Sequence, residues 1–184
     1  MQVERLQEGV PLAPLTTFGI GGPARWFARA THVDDLFKAS EWEGESLFVL
    51  GGGSNLVIAD QGFGGLVLQI AIGGVNVTAD GEDVLLRAGA GEPWDAVVAS
   101  AVKQDLAGIE CLSGIPGTVG GTPIQNVGAY GQEVATVIEW VAAFDRSKRA
   151  AVRLSRNDCG FAYRMFTATV KAVGMPKENG HLTR

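Results

Sequence analysis

Cysteine is almost missing from this chain: Cys111 and Cys159 are the only two in 184 residues. They lie far apart and form no metal-spaced pair, so neither a disulfide framework nor a zinc site is built from them. They read as reduced thiols of a cytosolic protein. Histidine is equally scarce; His32 heads a predicted helix, His181 lies in the tail, and each reads as a surface residue. No HExxH or similar pattern exists, so no metal is expected, and no nucleophile-plus-base pair is visible. Positive charge is in deficit, with 15 Lys and Arg against 20 Asp and Glu and a net charge of −5. No basic stripe is available to neutralise phosphates along a duplex, which argues against nucleic acid as a partner. Long apolar runs are absent too, so no membrane span is expected. The opening "MQVERLQEGVPLAP" carries charges where a signal peptide has its apolar core. The expectation is a cytoplasmic protein.

What the chain has in excess is glycine, 26 residues, against about 7% of a typical sequence. Without a period, such an excess means tight turns or backbone packed close to something else. Hydrophobic residues at 46% and charged residues at 19% give a globular balance. The length fits one large domain or two small ones and buries roughly two thirds of the unfolded surface.

The first half reads as a small α/β unit. The stretch to Pro14 is expected to form a helical turn and a connector, and Ala24–Ala30 a short strand. Val33, Leu36, Phe37 and Ala39 fall at helical spacing, with Thr31 as the expected cap and Asp34 and Asp35 in the first turn. "SLFVLGGGSNLVIAD" reads as strand, glycine loop, then strand or short helix, and "GGLVLQIA" as a further strand. A second composition follows. "GVNVTADGEDVLLRAGAG" predicts a hairpin turning at Asp80-Gly81. "PWDAVVASAVKQD" predicts a helix with Pro93 at its start and an apolar face of Val97, Val98, Ala101 and Val102. "VATVIEWVAAFDRSKRAAVRLS" predicts two strands joined at 145–148, and "ATVKAVGM" a final strand.

Two glycine clusters can carry chemistry. Gly51, Gly52, Gly53, Ser54, Asn55 and Leu56 follow a predicted strand, where consecutive amides can face a phosphate. The cluster is neither a dinucleotide-fold GxGxxG nor a Walker A loop, and alone it reads equally as a plain turn. The second cluster is "SGIPGTVGGTPIQNVGAYGQEV", Ser113 to Val134, with six glycines and two prolines. Gly114, Gly117, Gly120 and Gly121 let the chain wrap a flat or charged ligand. Pro116 and Pro123 stiffen it, which lowers the entropy cost of binding. Thr118, Thr122, Gln125 and Asn126 offer hydrogen-bonding groups, and Ile115 and Val119 are candidates for an apolar wall or for core. The bland alternative is an Ω-loop, but loops beyond about 12–15 residues without structure of their own are usually functional or disordered. This one is too apolar for disorder. The residues alone point to an α/β protein holding a phosphate-bearing cofactor.

"TTFGIGGPA", "VLGGGSNLVIAD", "AGAGEPWDAVV", "GIECLSGIPGTVGGTPIQNVGAYGQEV" and "CGFAYR" occur in this order between residues 15 and 164. Together they resemble the UDP-N-acetylenolpyruvoylglucosamine reductase family, flavoenzymes of peptidoglycan precursor synthesis. The resemblance implies an α+β FAD-binding fold of the vanillyl-alcohol-oxidase type, with two subdomains, 1–70 and 71–184. It implies non-covalent FAD, NADPH as hydride donor and a UDP-sugar enolpyruvate as substrate. The implied flavin contacts are residues 51–56 together with Ser113, Gly114, Ile115, Pro116, Gly117, Thr118, Gly120, Gly121, Thr122, Gln125, Asn126, Gly128 and Ala129. Tyr163 and Arg164 match the family's Gly-Tyr-Arg, with Ala162 in place of the glycine. The resemblance makes Arg164 the group that stabilises the enolate and Tyr163 its neighbour on the substrate. The family also implies a third domain with a proton-donor serine and an assisting glutamate. Here the last serine is Ser155 and the chain ends at Arg184, so that substrate domain is expected to be missing. Two alternatives stand beside the reductase: an FAD-binding part without turnover, and a different FAD oxidoreductase of the same fold, such as an oxidase.

Overall fold

The computed structural model describes residues 6–44, 46–167 and, for the backbone, 180–183. Its first layer is a four-stranded sheet flanked by one helix. The elements are β1 (Gln7–Pro11), β2 (Pro23–Ala30), α1 (Val33–Ser40), β3 (Leu47–Leu50) and β4 (Phe63–Ile70). The strand order is β1-β2-β4-β3, with β1 antiparallel to β2 and the remaining pairs parallel. The run "LVLQI" of β4 is apolar because both sheet faces are covered. Leu66, Leu68 and Ile70 meet Leu36 and Ala39 of α1 on one face, while Val67 meets Leu12, Phe27 and Leu50 on the other.

Helix α1 is capped by His32, not by Thr31 as the sequence predicts. The Asp35 carboxylate accepts from the amides of both Thr31, at 2.9 Å, and His32, at 3.0 Å, so a first-turn acid satisfies the helix start. The N-terminal stretch also differs from expectation. Residues 7–11 form an edge strand instead of a helical turn, and only Ala13–Leu15 makes a 3-10 turn. Backbone pairing to β2 decides it, and pairing leaves no mark on side-chain pattern. After the glycine loop, "LVIAD" forms neither strand nor helix. The Ala59 carbonyl accepts from the amides of Gly22 at 2.9 Å and Gly62 at 2.8 Å, and this ties the segment down as an irregular link.

The second layer contains the predicted hairpin, β5 (Val75–Asp80) and β6 (Asp83–Ala88), turning through Gly81. The helix α2 (Trp94–Lys103) packs Trp94, Val97, Val98 and Ala101 against Val84, Leu86 and Ala88. Val102 does not join this face; it is 50% exposed, while Trp94 at the other end of the helix is buried in the core. Two small strands, β7 (Gly128–Ala129) and β8 (Gln132–Glu133), close a tight hairpin. Then come β9 (Trp140–Asp145), β10 (Ala150–Ser155) and a short helix, α3 (Arg156–Cys159). The β9–β10 turn forms as predicted, with the Asp145 carboxylate accepting from the amides of Ser147 and Lys148. Finally β11 (Gly180–Thr183) pairs with β6. The predicted strand "ATVKAVGM" lies outside the described residues. Among the described residues, no helix is long and apolar enough to cross a membrane.

Candidate cofactor groove

The two glycine segments come from different layers and meet across one groove. Gly51–Leu56 leaves the end of β3, and Ile115–Thr118 runs into the start of α2 through a bridge between Pro93 and Thr118. The approach is backbone to backbone. A Cβ on Gly52 would sit 3.0 Å from the Gly117 Cα, and one on Gly117 would sit 3.1 Å from the Ser54 Oγ. The Ser54 hydroxyl donates to the Pro116 carbonyl at 3.4 Å. Gly53 is held from behind: its φ is +66° and a Cβ there would overlap the Leu15 carbonyl, while its own carbonyl accepts from Thr17 at 3.0 Å.

Beside this junction lies a cavity of about 460 Å³ lined by Gly51–Leu56, Ile115–Thr118, Gly121, Thr122, Gln125 and Arg164. A second cavity of about 720 Å³ adjoins it, sharing Ile115, Gln125, Val127 and Arg164 and adding residues 128–133, Thr136 and Tyr163. The amides of Gly51, Gly52, Ser54, Asn55, Gly117 and Thr118 donate no hydrogen bond within the described residues. Unused amides at the rim of a groove are donors for an anion, and they need no lysine. Arg164 supplies the cation among the lining residues, on a turn where its φ is +50°.

The structure sorts the predicted residues into three sets. Gly51–Leu56, Ile115, Pro116, Gly117, Thr118, Gly121, Thr122, Gln125 and Arg164 line the first cavity, while Asn126, Gly128, Ala129 and Tyr163 line the second. Ser113, Gly114 and Gly120 line neither. Ser113 and Gly114 both donate to Asp95 of α2, at 2.9 Å from the hydroxyl and 2.6 Å from the amide. The Gly114 amide, followed by the Ser113 hydroxyl, holds the Asp95 carboxyl below the usual range. Gly120 is packed inward: its amide donates to Ala90 at 2.9 Å, and a Cβ would meet the Ala90 Cβ at 2.9 Å. Val119 is core against α2 and not a wall of the groove. The hydroxyl of Thr122 is committed to the Val119 carbonyl at 2.9 Å. Asn126 is likewise committed, to Glu133, Ala162 and Ala135.

Sequence reasoning missed Phe48, Val49, Ile124 and Val127 as lining residues and Asp95 as the support of the second loop. Ser113 and Asp95 are eighteen positions apart, and only the helix-to-loop packing joins them. Cys159 is inert: burial, and then the Asp158 carboxylate, push its thiol up to about 11.

Residues 26–147 match the family model for the FAD binding domain. The UDP-N-acetylenolpyruvoylglucosamine reductase of Thermobifida fusca is 48% identical over 84% of this chain and 45% of its own length. That of Streptomyces coelicolor is 50% identical over 88% of this chain and 43% of its own. The chain therefore spans less than half the length of these curated relatives. Among solved structures, UDP-N-acetylenolpyruvylglucosamine reductase from Thermus caldophilus superposes with a TM-score of 0.80 at 30% identity, over 98% of this chain and 63% of that one. A solvent-stable cholesterol oxidase follows at a TM-score of 0.68 and 16% identity, a likeness of fold alone.

Proposed function

The chain belongs to the FAD binding domain family, and from that premise we propose that it is the flavin-holding part of a UDP-N-acetylenolpyruvoylglucosamine reductase. The observation that carries the reading is the junction of the two glycine segments, with unused amides from both along one groove. FAD carries a diphosphate, and these residues fit it: backbone donors from two loops, no side chain at Gly52 or Gly117, and an apolar wall at Ile115 and Val127. The subdomains are proposed as 1–70 and 71–184, with Ala90 and Phe144 of the second packing into the core of the first, and the protein works in the cytoplasm, where NADPH is the reductant. The reductases at 48–50% identity support the nucleotide sugar as substrate.

FAD, when bound, supplies the hydride-carrying chemistry between NADPH and the enolpyruvyl group. The chain's own residues bind and orient. The amides of Gly51, Gly52, Ser54, Asn55, Gly117 and Thr118 hold the diphosphate, and Thr118 and Gln125 have side-chain groups left for the flavin. Arg164 faces the groove with a cation that never loses its proton and grips a carboxylate or enolate oxygen through two N–H bonds. It stabilises the charge that develops when the double bond is reduced. The carbon next to that charge must then be protonated. A positioned donor contributes about 10²–10⁴-fold. Since the chain spans less than half of the relatives' length, the alternative is an FAD-binding part without turnover of its own.

Flavin titration tests the reading. The chain is expected to quench and retain FAD in preference to FMN, because FMN lacks the second phosphate. Equal retention of both, or of neither, overturns it. With FAD, NADPH and the nucleotide sugar supplied, NADPH oxidation is expected to stay far below that of a full-length relative. Substrate-dependent turnover abolished by Arg164→Ala would reject the alternative.

A further inference from the structure

We propose that Asn126 is a positioning residue whose buried carboxamide sets the Arg164 turn against the glycine groove. The inference rests on the role proposed for Arg164, and it moves Asn126 from flavin contact to support. Asn126 is 3% exposed and has a φ of +39°, a left-handed conformation that asparagine tolerates better than most residues. A carboxamide has two N–H donors and one carbonyl acceptor. Here one bond goes to the Glu133 carboxylate at 2.9 Å and one to the Ala162 carbonyl at 3.1 Å, while the side-chain oxygen accepts from the Ala135 amide at 3.1 Å. No donor remains for a ligand.

Ala162 is the near end of the turn that carries Arg164. Ala162 and Met165 exchange backbone bonds of 3.1 and 3.0 Å, with Tyr163 and Arg164 at the tip. Beyond the turn, the Thr167 amide donates to Cys159 at 3.1 Å and its hydroxyl to Gly160 at 2.8 Å. Those bonds fasten the turn to α3 and not to the groove. Among the described residues, the Asn126–Ala162 bond is the one that joins it to the Ser113–Val134 segment. Glu133 makes the arrangement specific, because a carboxylate can only accept and so aims the Asn126 amide nitrogen. Aspartate at 126 would bring a second carboxylate against Glu133 and lose both donors, yet keep the acceptor for Ala135.

The test uses the 184-residue chain with Asn126→Gly, which keeps the left-handed backbone unstrained, and Asn126→Asp, which keeps the size. Hydrogen exchange is expected to rise about tenfold in the peptide 160–167 in both variants, with the β2–β4 pair unchanged. Exchange that stays at the wild-type rate, or rises across the whole molecule, overturns the proposal. In FAD-loaded chain, iodide quenching of flavin fluorescence reads the nearby cation. Arg164→Ala is expected to lower the quenching constant about twofold. Each Asn126 variant should lower it alike, with no further loss in the double variant. Quenching at the wild-type level in the Asn126 variants overturns the proposal even if exchange rises locally. A chain that takes up no FAD defeats the reductase reading instead, and the exchange arm still decides for or against Asn126.

Discussion

The two glycine segments look alike in composition but are built on opposite plans. Gly51–Leu56 has almost no internal bonding; it is shaped from outside, by the Leu15 carbonyl behind Gly53 and the Thr17 amide on the Gly53 carbonyl. Its amides are consequently left over for a ligand. The Ser113–Val134 segment shapes itself. Its amides at 120, 121, 122, 126, 127 and 134 are used within it or on Ala90, and Asp95 and Asn126 brace it from either end. The first loop offers little but backbone; the second adds the free amides of Gly117 and Thr118 to a rigid wall. The same residue type thus leaves amides for a ligand at Gly52 and meets a packing requirement at Gly53 and Gly120.

The sharpest way to break the contrast is at Gly53. Gly53→Ala forces an L side chain to a positive φ and into Leu15, so both folding and flavin uptake should suffer. Strain of this kind costs about 1–3 kcal/mol before the overlap is counted, and a thermal melt should show it without FAD. Gly120→Val should likewise act on stability first, through Ala90, with flavin affinity lost only as the fold is lost. Gly52→Val presses on the Gly117 backbone, 3.0 Å from its Cβ, so the melt should fall somewhat, but the larger effect should be on the ligand: about a hundredfold weaker FAD by fluorescence titration. If Gly52→Val lowers the melt as much as Gly120→Val does, the first loop is scaffold as well.

A smaller effect is expected from pH. The folded Asp95 carboxyl titrates below its unfolded value, so the folded chain binds fewer protons there. Its support of Ser113 and Gly114 is complete above the ordinary aspartate value of about 3.9 and fades as pH falls through the depressed one. Flavin affinity should weaken over that window, and Asp95→Ala should remove the acid dependence while weakening affinity about tenfold at neutral pH. The smallest effect belongs to Gly121→Ala. A Cβ there meets nothing within 4 Å, so stability should hold within about 0.5 kcal/mol, and any change in FAD affinity measures how closely the flavin passes.

What could be read from the sequence follows from where the information sits. The hairpin at Asp80-Gly81 and the core of β4 announce themselves, because turn chemistry and burial act through side chains. The edge strand β1 does not, since only its backbone pairs with β2. Helix α2 is legible in place and in most of its face: Val97, Val98 and Ala101 are core as expected, Val102 is exposed, and Trp94 at the first position joins the core unforeseen. At the site, the glycine loops were visible and their division of labour was not. Nothing in "TPIQNVG" tells that Gln125 faces a cavity while Asn126 is enclosed. The register of Asn126 against Glu133 and Ala162 decides that, and Ala162 lies 36 positions away.

Phe144 of β9 packs with Ala28, Leu36 and Leu68 in the core of the first layer, edge-on to Phe37 at 4.9 Å between ring centroids. The chain therefore leaves that layer after Ile72, touches its core again at Ala90 and returns to it with β9. During vectorial synthesis the first layer's own strands emerge before Ala90 and Phe144 can complete its core, so closure is expected to follow β9 out of the ribosome tunnel. A nascent chain stalled just after residue 70 should stay protease-sensitive, and protection of β2 and β4 should appear only once about residue 145 is outside. Arrest at successive codons would locate that step.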